Sequence, residues 1–352
     1  MRRPIRIAAP AEDFDLYSES RFTRERWAAS LSSTPMASPP ATATPRVVPL
    51  TPVAALLLLG ATVVVLGVNW PIMKTGLESI DPLWFAFLRV TSAGLVVAAV
   101  AALTGRLRPL PRQDWPVVLS VGVAGTAVHL AILFFALQFV PAGRSSVLVW
   151  TAALWTVPIA SVALGERMSP RRWAGLFAGI GGIVLLFEPW RFTWSNGDVL
   201  LGNGLLLVTA MIQAAVIVHT RAHRWVTGPR DALPWQMLVA ALPLLVVALV
   251  WEGLPEIDWS PRFAAIVAYQ AVFATGFAAW ARQIVVLSLR ATTVALVFMA
   301  IPLVGMVTSV IALDETVTAA AALGVLAIGF GVTLTILAER VTRVVVEAQP
   351  LE

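Results

Sequence analysis

The sequence predicts an all-α integral membrane protein of ten transmembrane helices, laid out as two inverted five-helix repeats. Three observations predict it. Of 352 residues, 58% are hydrophobic and only 13% charged, with a mean hydropathy of +0.82; soluble domains are about one quarter charged. The apolar residues fall in runs of roughly 18 to 25, the length at which a helix spans a bilayer, and no run alternates as the strands of a membrane β-barrel do. Finally, one phrase is written twice. Residues 163–172 read A-L-G-E-R-M-S-P-R-R, and residues 312–321 read A-L-D-E-T-V-T-A-A-A, without the arginines.

Residues 1–52 stand apart. Six arginines mix with five acidic residues up to Arg26, and a Ser/Thr/Pro/Ala-rich stretch follows. This composition reads as a disordered N-terminal tail and contains no apolar core of signal-peptide length. Either the tail is real or translation begins at Met36. Ten apolar segments follow, at 53–75, 82–104, 115–138, 143–164, 171–188, 199–220, 233–252, 263–287, 291–312 and 318–338, and residues 339–352 form a short C-terminal tail. Turn formers and charges fill the connections, as in T-G-R-L-R-P-L-P-R-Q-D and E-G-L-P-E-I-D-W-S-P-R.

Arginine placement sets the orientation. With the N-terminus in the cytoplasm, the cytoplasmic connections hold thirteen arginines and the external ones three, Arg144, Arg191 and Arg262. Positive residues concentrate on the cytoplasmic side, so a multi-pass cell-membrane protein with both termini inside is expected. Tryptophans at many segment ends, among them Trp84, Trp115, Trp235 and Trp259, fit interfacial belts.

A shift of 149 residues explains the doubled phrase. It carries Thr126 onto Thr275, Leu154 onto Leu303, Glu166 onto Glu315, Gly175 onto Gly324 and Gly182 onto Gly331, without a gap. The repeats are 53–188 and 199–338. Five helices is an odd number, so the second unit enters from the opposite side. The loop at Glu166 is then cytoplasmic and keeps its arginines, while the loop at Glu315 is external and lacks them. Inverted repeats of this kind suit alternating access about a midplane site.

Over roughly residues 55–338 the chain resembles the EamA-type permeases of the drug/metabolite transporter superfamily. The resemblance is carried by G-V-N-W-P-I-M-K, P-L-W-F-A-F-L-R, A-L-Q-F-V-P-A-G, the L-G-E-R-x-S-P-x-x-W-x-G junction and its echo I-P…A-L-D-E-T…G. It implies an inner-membrane secondary exporter of small metabolites, amino acids or drugs. One departure stands out. Pro302 precedes Glu315 by thirteen residues, but the matching position before Glu166 is Ala153, with a proline at 158 instead.

Candidate substrate-binding residues are Asn69, Trp70, Lys74, Arg89, His129, Trp150, Trp155, Trp280 and Arg282. Lys74, Arg89 and Arg282 are cations inside apolar segments, where a charge at the helix centre costs about 2.5–3.5 kcal/mol. Each faces a cavity or snorkels to the headgroups. Lys74 is the only lysine among 24 arginines, with Glu78 one turn away as a partner and Arg89 within reach on the next helix. The segments hold no Asp or Glu away from their ends, which leaves no carboxylate proton relay and favours anionic solute groups. His129 is either a titrating group or a packed one. Asn69 and Trp70 precede Pro71, which interrupts its helix. Trp150, Trp155 and Trp280 lie deep and either stack on a solute or pack. His219 and His223 have metal-ligand spacing, but no carboxylate or cysteine is expected nearby. Gly175 and Gly179 allow close helix approach, within the fold or between copies.

Cysteine is absent, so disulfides and thiolate metal sites are excluded. The net charge of +5 is explained by orientation and not by nucleic acid, and no cofactor is implied. The phosphate-cradling Gly-Lys is missing, so there is no built-in ATPase. A lipid-acting membrane enzyme needs an acid, base or metal cluster, a channel needs a charged ring, and neither is found. Uptake is the alternative to export, and monomer against homodimer is left undecided.

Overall fold

The computed structural model describes residues 50–164, 169–188, 190, 197–289, 294 and 297–347. The tail through residue 49, Met36 and Glu166 lie outside the described residues. No strand occurs among the described residues. The helices are α1 (Pro52–Gly76), α2 (Pro82–Leu103), α3 (Arg112–Leu137), α4 (Ala142–Trp150 continued by Ala152–Leu164), α5 (Pro170–Phe187), α6 (Gly197–Ala222), α7 (Pro229–Trp251), α8 (261–288), α9 (Ala300–Leu313) and α10 (Ala319–Glu347). Seven of them, α1 to α4 and α6 to α8, are long and apolar enough to cross a membrane, which makes this a multi-pass membrane protein; α9 and the 319–334 part of α10 are apolar but shorter. α10 runs to Glu347, nine residues past the expected 338, because A-E-R-V-T-R-V-V-V-E contains no glycine or proline to stop it.

Local chemistry sets the ends. Proline occupies the first turn of α1, α2, α5, α7 and α8, where its fixed φ suits the helix and its missing N–H leaves no orphan donor. Thr51 and Ser260 add side-chain caps, accepting from Ala54 N (3.4 Å) and Phe263 N (3.2 Å). Gly105 (φ +67°) and Gly253 (φ +79°) end α2 and α7 in the left-handed conformation that glycine tolerates best.

We call the end that carries the α1–α2 turn the upper end. It is tied by Asp258 N donating to Ser79 O (3.0 Å), by Glu252, and by ion pairs of Arg262 with Glu78 (3.3 Å) and Arg144 with Glu188 (3.8 Å). At the lower end the buried Asp114 carboxylate accepts from Val226 N (3.1 Å), Thr227 N (2.8 Å) and Thr227 Oγ1 (2.6 Å), and lies 2.9 Å from His223 Nε2.

The packing repeats itself. α1 lies on α9, and α6 lies on α4; α2 packs on α8, and α7 on α3; α2 meets α7, and α5 meets α10. Moving every partner by five helices returns the same set of pairs. The α5–α10 crossing is close because glycines face backbone. A methyl on Gly182 would sit 2.6 Å from Gly324 O, and one on Gly324 2.7 Å from Gly182 O. Gly331 approaches Gly175 in the same way, so the crossing maps onto itself under the 149-residue shift, and the small-residue face of α5 is used within the chain.

Candidate functional site

Two irregularities interrupt the helices, and each occurs twice. α3 widens to a π-type turn over Ser120–Val128, where Thr126 Oγ1 reaches back five residues to Val121 O (2.9 Å). α8 widens over Gln270–Phe277, which the shift places on nearly the same residues. Such turns are rare and gather at functional sites. α4 breaks at Thr151, whose hydroxyl turns back to Leu148 O (2.6 Å). Pro158, the proline of the first copy, sits inside the lower piece of α4. α9 restarts at Ala300 after a turn at Met299, the position onto which the shift carries Trp150. Both fourth helices of the doubled pattern are therefore broken at matching depth.

A cavity of about 580 Å³ opens between α1, α8 and α9, and a second of about 570 Å³ lies between α4, α9 and α10. The second is the more informative, because both breaks line it. Trp150 and Ala153 come from one, and Met299, Ala300 and Pro302 from the other. Its wall is mostly apolar, with Thr333 as a hydroxyl. Pro302 and Ala153, the proline and the residue that replaces it in the first copy, are both on this wall.

A polar layer lies in the upper half of α1, α2, α3 and α8. At 1.5 Å per residue, Asn69, Arg89, His129, Tyr269 and Gln270 all fall about 10–13 Å below the upper ends of their helices. Arg89 is half-buried, and its guanidinium donates to Met73 Sδ at 2.8 Å. Tyr269 and His129 lie close enough to Arg89 to interact with it electrostatically. Tyr269 donates its hydroxyl to Val65 O (2.6 Å). Asn69 Oδ1, His129 Nδ1 and both amide atoms of Gln270 are buried without hydrogen-bond partners. Above the layer sits a seal of three fully buried rings, Phe85 with Phe134 at 4.7 Å and with Phe263 at 5.8 Å. Arg89 is one turn below Phe85 on the same face of α2, and Gln270 is two turns below Phe263 on the same face of α8.

The other expected residues are dispersed. Lys74 is two residues from the end of α1, and its Nζ donates to the carbonyls of Leu137, Gln138 (3.2 Å) and Val140 (3.3 Å). It thus tops the C-terminus of α3, where a cation suits the helix dipole. Glu78 pairs with Arg262, and the hydrogen bonds of Lys74 and of Arg89 go to different partners. On the far side of the same turn, Glu315 accepts from Ala142 N (2.5 Å) and Gly143 N (2.9 Å) and caps α4. Trp70 is buried against Gly305. Trp155 is half-buried, with Nε1 unpartnered. Trp280 is 54% exposed, and Arg282 is exposed near the lower end of α8. His223 goes to Asp114 and not to His219.

Tyr269, Gln270 and Glu252 escaped the sequence reading. A tyrosine and a glutamine in an apolar run read as ordinary, and Glu252 sits in a loop; it accepts from Leu83 N (3.0 Å) and Trp84 N (3.1 Å), 169 and 168 residues away.

The sequence model of the EamA-like transporter family matches residues 53–188 and again residues 200–337. Among relatives, the "Uncharacterized transporter YoaV" of Bacillus subtilis (strain 168) is 23% identical over 266 residues, 76% of this chain and 91% of that protein. The "Probable amino-acid metabolite efflux pump" of Escherichia coli (strain K12) is 27% identical over 289 residues, covering 78% and 92%. A solved crystal structure matches with a TM-score of 0.58 at 21% identity, over 82% of this chain and 99% of that one, which shows the shared fold.

Proposed function

This chain belongs to the EamA-like transporter family, and on that premise we propose that it is a secondary exporter of small organic metabolites of the amino-acid type, working by alternating access. Membership makes it a membrane transporter and not an enzyme. The two matched segments act as inverted five-helix repeats that cross the membrane ten times in all, with the upper end external and both termini in the cytoplasm. The inner membrane is its site, and the lipid bilayer its other partner.

One observation carries this reading: the two matching breaks in α4 and α9 and the cavity of about 570 Å³ between them. Transporter sites form where discontinuous helices of two repeats meet near mid-depth. A cavity shared between repeats changes its opening when one repeat rocks against the other. Trp150 supplies an aromatic wall for an amphipathic solute, with Trp155 on the same helix; Trp70, Trp280, Lys74 and Arg282 lie off this wall and act on helix positions. The efflux-pump name of the Escherichia coli relative supports export and the solute class.

Two measurements test it. Cells with and without the gene are loaded with amino acids through dipeptide feeding, and the medium is assayed. Faster appearance outside with the gene supports export, faster accumulation inside indicates uptake, and identical time courses defeat the reading. Single cysteines in this cysteine-free chain report orientation. An impermeant thiol reagent should label Glu256→Cys and spare Arg224→Cys, and the reverse pattern turns the topology over.

A further inference from the structure

Resting on the transporter reading, we infer that the Arg89 layer is the binding station for the carboxylate of the transported solute, with Arg89 as anchor and Gln270, Tyr269 and His129 around it. Arg89 is the half-buried cation of this layer, and among the described residues no carboxylate pairs with it. Its hydrogen bond goes to a thioether, a weak acceptor. A cation at this depth is costly unless an anion or a full set of acceptors joins it. Escape upward is blocked, because Phe85 lies one turn above on the same face, closed in by Phe134 and Phe263.

Polar groups without partners gather at the same depth. Gln270 is 0% exposed, and neither amide atom is hydrogen-bonded; Asn69 is 5% exposed with Oδ1 free, and His129, 7% exposed, leaves Nδ1 free while its ring is also held by the Thr209 backbone. Buried polar atoms are nearly always partnered. Three such side chains at the depth of a guanidinium that no carboxylate pairs with among the described residues suit a polar, anionic ligand.

The charge defines the ligand class. Lys74 is committed to the α3–α4 turn and Arg282 lies near the lower end of α8, so among the described residues Arg89 is the cation of this layer, which matches one negative charge. Its planar fork fits the two oxygens of a carboxylate. The Gln270 amide offers a further N–H donor, and its oxygen and Asn69 Oδ1 offer acceptors for the ammonium of an amino acid.

The test uses purified full-length protein in detergent. Melting is followed with each of the twenty amino acids, and every acid that stabilises is compared with its amide and its decarboxylated amine. Acids should raise Tm, and the amides and amines should not. Arg89→Met should fold with an unchanged or higher ligand-free Tm and bind at least about tenfold more weakly, and Arg89→Lys should bind in between. Gln270→Leu should be as stable as the parent, since it removes two unpartnered polar atoms, yet bind more weakly. A purely structural layer would instead lose stability and keep affinity. Equal response to acids and amides, no response to any acid, or intact affinity in Arg89→Met and Gln270→Leu overturns the proposal. Dipeptide-fed cells separate the two levels: export by Arg89→Met equal to the parent defeats the carboxylate station alone, whereas a parent that exports nothing defeats the transporter reading.

Discussion

Below the ring seal, residues 53–188 carry Asn69, Arg89 and His129; prolines open α2 at 82 and α7 at 229, and that register sets Gln236 opposite Arg89, while the 149-residue shift that holds from Thr126 on sets Ala278 opposite His129. Trp150 and Trp155 likewise become Met299 and Val304. Yet both segments widen one helix into a π-type turn, break another at matching depth, and lend the same glycines to the α5–α10 crossing. The skeleton is doubled, whereas the cation of this layer is single among the described residues; Tyr269 and Gln270, from the second segment, complete a layer centred on the first. Symmetric packing is what a rocking motion needs, because each half must offer equivalent contacts in both orientations. A solute has no such symmetry, and one carboxylate calls for one cation.

The largest expected effect tests the doubled skeleton. Gly182→Val and Gly331→Val occupy equivalent places, and each forces a side chain into facing backbone. Each should cost about 3 kcal/mol, with similar losses of melting temperature in detergent. Tolerance of one and collapse of the other would break the equivalence of the halves.

Next in size is Glu315, which crosses from the second segment to cap α4 in the first. Glu315→Ala leaves Ala142 N and Gly143 N without their acceptor and should cost about 2 kcal/mol, while Glu315→Gln should recover part of it. Full stability in Glu315→Ala would show that the cap contributes nothing.

Lys74 sharpens the chemical side of the comparison. Lys74→Met removes a cation from the carbonyls that end α3 and should cost about 1 kcal/mol, with export nearly unchanged in cells. Lost export with intact melting would return Lys74 to the solute path.

The smallest effect concerns Glu252. Burial raises its carboxyl above the ordinary glutamate range, although hydrogen bonds from the Leu83 and Trp84 N–H groups pull it down. The folded state then holds the proton more tightly than the unfolded one. As pH rises from the ordinary glutamate pKa through the raised one, the parent loses stability that Glu252→Gln keeps. Tm of the variant minus Tm of the parent should climb over that window by at most about 2 °C. Parallel curves would place Glu252 in a watery setting.

The sequence by itself determined that the protein is helical and membrane-embedded, that it belongs to this family, and that a unit is written twice. These follow from quantities local to the chain: run length, charge fraction, prolines that open helices, and a fixed register. It also marked Lys74, Arg89 and His129, since a polar residue in an apolar run is visible without a fold. Only the tertiary structure decided what each one meets. Lys74 and Arg89 look alike in sequence, yet one reaches the carbonyls of Leu137, Gln138 and Val140 and the other a thioether, because helices separated by sixty residues in the chain are neighbours in space. Gln270 and Tyr269 carried no local signal, and α4 yields at Thr151 and not at its proline, Pro158. Helix formation is settled by contacts three to five residues apart, whereas a site is settled by which faces of distant helices are pressed together.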